Sequence, residues 1–268
     1  MDHSSYRIAP FMNSLLQAIN EHSAIFFVLA AMSVLLLGIS KSGFGAGFGV
    51  LAPPLMASQS SLAEALAILL PLLIAIDLVA LRRFWGKADR RILKLILLPA
   101  GIGMLMGYFF FSLITPQILS LSIGIFTLLF LIQGLVMSRI DLKEAKPYPW
   151  LGRLMGCLSG FTSFVAHIGG PPITIYLLRE KLSPMVYAST LGIFFTAMNF
   201  SKLVPYAYLD LLNFNQLATS ILLLPLVPVG VYLGFFLADQ ISAKWYYIIV
   251  QLCLLVASIK LIADGLFA

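Results

Sequence analysis

The sequence predicts an all-α polytopic membrane protein, with about eight transmembrane helices in two homologous four-run halves whose first helices are broken. Three observations lead there. The 268 residues are 60% hydrophobic and only 10% charged, with a mean hydropathy of +0.99, which is too apolar for a soluble domain of this length. Eight apolar runs come close to the ~20 residues that a helix needs to cross a bilayer, at 23–42, 62–82, 92–112, 116–138, 154–178, 185–204, 214–238 and 242–264. The first and fifth runs are interrupted by matching glycine and proline clusters, Gly38 to Pro54 and Gly156 to Pro172. Such breakers are tolerated at membrane depth only where the freed backbone is buried in protein or lines a wet cavity. Paired breaks in two halves point to a transporter's binding site.

Taken in order, residues 10–22 put Phe11, Met12, Leu15, Leu16 and Ile19 on one helical face, the pattern of a short interfacial helix. An N-terminal interfacial segment is therefore expected over 1–22, a first membrane repeat over 23–138, a cytoplasmic linker over 139–153 and a second repeat over 154–268. In the first break, Pro53 and Pro54 suit the opening turn of a half-helix, where a missing N–H is not needed. Its N-terminal N–H groups would face the glycine loop and attract an anion. Pro171 repeats the arrangement. Ser61-Leu62-Ala63-Glu64 reads as a capping box that starts the next helix, and Ser183-Pro184 starts its counterpart. Leu97 to Phe110 resembles Leu223 to Phe236, so the repetition extends past the breaks. Four crossings per half would relate the halves in parallel; a hairpin at each break would allow an inverted relation.

The formal charge of +6 does not indicate nucleic acid, because the basic residues sit in loops. Arg82, Arg83, Lys87, Arg90, Arg91 and Lys94 form one group and Arg139, Lys143, Lys146 and Arg153 another. The positive-inside rule makes both loops cytoplasmic. Eight crossings then leave both termini cytoplasmic but put Arg179 and Lys181 outside, a conflict within the count. Trp85, Trp150 and Trp245 end apolar runs and read as interfacial anchors. No positive n-region precedes the first run, so a cleaved signal peptide is not expected. Cys157 and Cys253 both lie in apolar runs and offer no disulfide framework or metal spacing.

Ionisable residues inside the runs are few, and each costs about 2.5–3.5 kcal/mol at mid-membrane, which makes them functional candidates. Lys41 lies in the first glycine loop and His167 in the second. With Ser42, Gly43, Gly45, Gly47, Pro53, Ser159, Thr162, Ser163, Gly169, Gly170 and Pro171 they form the expected substrate-binding set. Asp77, Asn199 and Lys202 are candidates for coupling or gating across the repeat interface, although Asp77 does not align with Asn199 and Lys202 together. Against these readings stand snorkelling for Lys41, packing for His167 and small-residue helix contacts for the glycines and hydroxyls. No dinucleotide fingerprint, Walker loop, HExxH or paired-carboxylate site is present, so no enzyme activity, metal or cofactor is expected.

Gly38-x-x-Lys41-Ser-Gly-Phe-Gly-x-Gly-Phe-Gly-Val-Leu-Ala-Pro-Pro, paired with Ser159-Gly-Phe-Thr-Ser-x-x-Ala166-His-x-Gly-Gly-Pro-Pro-x-x-x-Tyr176, resembles the paired motifs of the TauE/SafE family of sulfite and organosulfonate exporters. The resemblance implies a permease of the bacterial inner membrane that exports a small sulfur oxyanion such as sulfite or sulfoacetate. The expected partners are that anion and the lipid bilayer, with a homodimer left open. The rival readings are a carrier or channel for a cation or another solute, and a membrane enzyme or assembly factor that transports nothing.

Overall fold

The computed structural model describes residues 18–43, 48–111 and 148–267, with individual positions between 113 and 132. The proposed interfacial helix over 10–22, the loop residues Gly45 and Gly47 and most of the 139–153 linker lie largely or wholly outside them. The described residues form helices and no strand: α1 (Ala24–Gly43), a 3-10 turn (Phe48–Leu51), α2 (Ala52–Ala57), α3 (Leu62–Phe84), α4 (Arg90–Phe110), α5 (Pro149–Ala166), α6 (Gly170–Arg179), α7 (Pro184–Tyr208), α8 (Phe214–Leu223), α9 (Leu226–Gln240) and α10 (Ala243–Phe267). By length and apolarity α1, α3 and α4 can each cross a membrane, and α8 with α9 makes a fourth span if the pair is taken together across its 48° bend. The protein is an all-α polytopic membrane protein. The bend falls at Pro225, which has no N–H to continue the helix.

Local chemistry sets the helix starts. Ser61 caps α3 by accepting the Glu64 N–H at 3.1 Å, Asp89 caps α4 through the Arg91 and Ile92 N–H groups, and Asn213 caps α8 through Asn215 and Gln216. Only half of the expected capping box forms, since the Glu64 carboxylate turns instead to His22 Nε2 at 3.2 Å. Ser183 makes no capping bond, and Pro184 begins α7 through its fixed φ.

Both broken segments turn back on themselves. Ser40 Oγ accepts the Gly49 N–H at 2.9 Å, and Ser33 Oγ donates to Ala52 O at 3.1 Å, so the chain after α1 retraces it. The His22–Glu64 contact then brings the start of α3 beside the start of α1. In the second copy Ser159 Oγ donates to Gly169 O at 2.6 Å, and Gly152 packs against the Tyr176 ring. An ion pair from Arg91 to Glu180 returns the end of α6 to the level where α4 begins. Each hairpin thus starts and finishes on one face.

These contacts fix helix directions. The α3 and α7 helices run antiparallel, with Asp77 opposite Asn199 and Phe84 opposite Gly192. Contacts of Gly38 with Gly230 and Gly43 with Gly234 make α1 and α9 parallel, and Gly156 with Ile96 and Gly160 with Ala100 make α5 and α4 parallel. The sequence of hairpin, long helix and returning helix therefore occurs twice, starting from opposite faces, which is the inverted alternative. Lys181 consequently shares a face with the Arg82–Lys94 group, and the conflict in the eight-crossing count disappears. Among the described residues α1 begins at the face opposite the basic one, and α10 starts at the basic face beside Asp239 and runs toward that opposite face.

The interfaces of α1 with α9 and of α4 with α5 are seams of small residues. A Cβ on Gly103 would lie 1.9 Å from Cys157 O, and one on Gly160 would lie 1.9 Å from Ala100 O. Backbones approach this closely only where there is no side chain. The hydrophobic core divides accordingly, one cluster joining α4 to α7 around Phe164, Tyr187 and Phe194, and the other joining α1 to α3 and α9 around Phe26, Leu69 and Val231.

Gly103→Ala should destabilise the protein by at least about 1–3 kcal/mol through overpacking, whereas Gly101→Ala, whose Cβ would meet nothing within 4 Å, should be neutral or slightly stabilising; thermal unfolding in detergent compares them. In a cysteine-less background, single cysteines at Lys87 and Lys181 should react with an impermeant maleimide from one side of sealed vesicles and a cysteine at Gln59 from the other.

Candidate functional site

The two hairpins meet at a cavity lined by Leu37, Ser40, Lys41, Gly49 and Val50 from the first, Ser163, His167 and Gly170 from the second, Leu73 of α3 and Phe195, Asn199 and Lys202 of α7. The last three recur at helical spacing, which puts them on one face of α7. Behind the lining, a chain of polar contacts runs through the molecule. Asp77 pairs with Lys41 and accepts the Asn199 Nδ2–H at 2.7 Å; Asn199 Oδ1 accepts from Lys202 Nζ at 3.2 Å; Lys202 Nζ lies 3.0 Å from His167 Nδ1; and His167 Nε2 lies 3.0 Å from Leu66 O.

The partners decide the protonation pattern of the histidine. A carbonyl only accepts, so His167 Nε2 carries the hydrogen, and an ammonium only donates, so Nδ1 presents its lone pair to Lys202. The ring is neutral in this arrangement. It stacks on Tyr206 at 5.8 Å between centroids, and Tyr206 is held in turn by its O–H donating to Phe164 O at 2.7 Å. The backbone of His167 is left-handed, at φ 55°, where it caps α5 with its N–H on Ser163 O at 3.0 Å. Lys41 also lies over the Phe195 ring at 5.6 Å, a cation–π contact.

Lys202 is fully buried, Asn199 and Asp77 are 2% and 3% exposed and Lys41 is 8% exposed. Burying an ionised side chain costs several kcal/mol unless an opposite charge and hydrogen bonds compensate. Lys41 has that compensation in Asp77. The two close contacts of Lys202 are with neutral groups, so its ammonium form has no carboxylate in direct contact. An anion in the cavity would supply the missing opposite charge and favour that form.

The candidate residues distribute unevenly around this centre. Lys41, Ser163, His167, Gly170, Asn199 and Lys202 line the cavity, and Asp77 supports it from behind. Ser42 donates to Gly38 O and Val231 O in the α1–α9 seam, and Gly43 packs on Gly234 in the same seam. Ser159 ties its hairpin together, Thr162 donates to Leu158 O, and Gly169 is packed between Ser159 and Ser163. Pro53 and Pro171 lie within the first turns of α2 and α6. The lining residues Leu37, Ser40, Gly49, Val50, Leu73 and Phe195 were not in the predicted set; Phe195 was detectable as the residue one turn before Asn199.

The backbone contributes less to the site than the half-helix argument expects. Pro53 with Pro54, and Pro171 with Pro172, occupy the second and third positions of α2 and α6. The residues that favour the helix start therefore remove two of the N–H groups that would otherwise point at an anion. Side chains supply the positive charge instead.

A family model described as "Sulfite exporter TauE/SafE" matches residues 29–261. The chain belongs to the TauE/SafE sulfite exporter family. The match spans both hairpins and every residue of the polar chain, and the family is one of membrane permeases, so this TauE/SafE protein is a multi-pass transporter. No curated protein and no solved structure matches it.

Removing Asp77 alone should strand Lys41 as an unpaired buried charge. Asp77→Leu is expected to cost about 3–5 kcal/mol, and the double variant Lys41→Met/Asp77→Leu to recover most of that loss in detergent unfolding.

Proposed function

We propose that this protein is a secondary carrier, not an enzyme, that exports a small sulfur oxyanion, sulfite or an organosulfonate such as sulfoacetate, across the cell inner membrane. Family membership supports the solute class, and one observation carries the anion reading: Lys41 and Lys202 line one buried cavity at the meeting of the two hairpins, with Asp77 behind it as the nearby carboxylate. Ser40, Ser163 and His167 supply the remaining polar lining. A cation bound at glycine carbonyls would have to sit beside two ammonium groups, which counts against that rival reading.

The two packed bodies, α4 to α7 and α1 to α3 with α9, would move against each other about the α3–α7 crossing and expose the cavity to one face at a time. The positive-inside rule assigns the face of Lys87, Arg90, Lys94 and Lys181 to the cytoplasm, so α1 starts and α10 ends at the outer face, opposite to the expectation of cytoplasmic termini. A negative cell interior then drives an anion outward by about 2.3 kcal/mol per charge per 100 mV, and export needs no co-ion.

The test is uptake of radiolabelled sulfite into proteoliposomes at imposed potentials of both signs. Flux should follow the potential and fall at least about tenfold, equivalent to 1.4 kcal/mol, in Lys202→Gln and in His167→Asn, whose side chain tolerates the left-handed backbone. Absence of sulfite flux in the folded protein at either sign would remove this reading.

A further inference from the structure

Resting on the anion reading of the cavity, we infer that the site selects its ligand by charge and carries singly charged tetrahedral anions, hydrogensulfite or a monosulfonate, in preference to the doubly charged sulfite, sulfate or sulfoacetate ions of similar chemistry.

The inference comes from the inventory of charge at the centre. Two lysine side chains, Lys41 and Lys202, reach the cavity, and Asp77 is the carboxylate paired with Lys41 behind it. His167 is neutral, because its two ring nitrogens are divided between a carbonyl acceptor and an ammonium donor. With a monoanion bound, two positive charges face two negative ones and the buried site closes at zero. A dianion leaves one negative charge without a partner among side chains that are themselves buried, which is costly. The count takes Lys202 as protonated with the anion in place, the form that a negative charge beside its Nζ favours.

Asp77 thereby acquires a positioning and counting role. Its two oxygens are taken by Lys41 and Asn199, and it does not line the cavity, so it sets the net charge without touching the ligand. Asp77→Asn keeps the shape and raises the loaded site's appetite by one negative charge.

Methanesulfonate and sulfate form the deciding pair, being close in size and tetrahedral shape but different in charge. In proteoliposomes of the wild-type chain, labelled methanesulfonate should move on the order of tenfold or more faster than labelled sulfate. Sulfite flux should decline as pH rises through the second ionisation of sulfurous acid, near neutrality, while methanesulfonate flux stays level. In Asp77→Asn, sulfate flux should rise and the ratio should fall or invert, a gain that general damage to the fold does not produce. Equal or faster sulfate transport by the wild type, or sulfite flux indifferent to that ionisation, would overturn the charge selection while leaving an anion carrier in place. Failure of both anions and of sulfite to move would remove the anion reading itself. If Asp77→Asn does not fold, the wild-type pair of anions still decides.

Discussion

The carboxylate of Asp77 is the contact on which the centre of this protein depends. It lies at the α3–α7 crossing, accepts from Lys41 of the first hairpin and from Asn199 of the opposing helix, and so ties three elements together at one buried point. Measured from the residues that start their helices, Ser61 and Ser183, Asp77 and Asn199 occupy the same register, which makes them counterparts facing each other across the inverted arrangement. Two carboxylates in these places would repel within hydrogen-bond distance. An amide on one side converts that repulsion into a hydrogen bond and leaves its own oxygen free to accept Lys202. The asymmetry between otherwise equivalent helices is therefore what admits a second lysine to the site.

The hairpins follow a related logic. Glycine and proline break α1 and α5 in the interior of the bundle, where the polar backbone needs partners. Ser33, Ser40 and Ser159 supply them by bonding across each turn. Chain reversal then brings described residues of both hairpins to one cavity, and the same prolines that open α2 and α6 thin out their N–H donors. Breaking the helices makes the room, lysine side chains can give that room its charge, and the neutral His167 adds a polar contact.

Much of the architecture was legible in the sequence, because it rests on composition, on helix punctuation and on duplication. Hydropathy identified the membrane class, Ser61 and Pro184 marked true helix starts, and the paired breaks located the cavity. The direction of the chain at those breaks was not legible, since a run of 20 apolar residues looks the same whether the segment after it continues or folds back. That ambiguity created the apparent conflict at Arg179 and Lys181. Glycines posed a similar problem. Gly43 serves a helix seam while Gly49 and Gly170 line the cavity, and only the position of a neighbouring backbone separates these roles. The association of Asp77 with Asn199 and Lys202 was suspected from their rarity, but its geometry required the register of α3 against α7.

The glycine seams bear on how such a molecule is made. The first hairpin is fastened through Gly38 and Gly43 to Gly230 and Gly234 of α9, near the other end of the chain, while α4 waits only for α5. During synthesis the first hairpin must therefore stay in the bilayer with its small-residue face uncovered until nearly the whole protein has left the ribosome. Neither half contains both sides of its own seams, so insertion and final assembly are separate events, and the cavity between the hairpins comes into being only at the second.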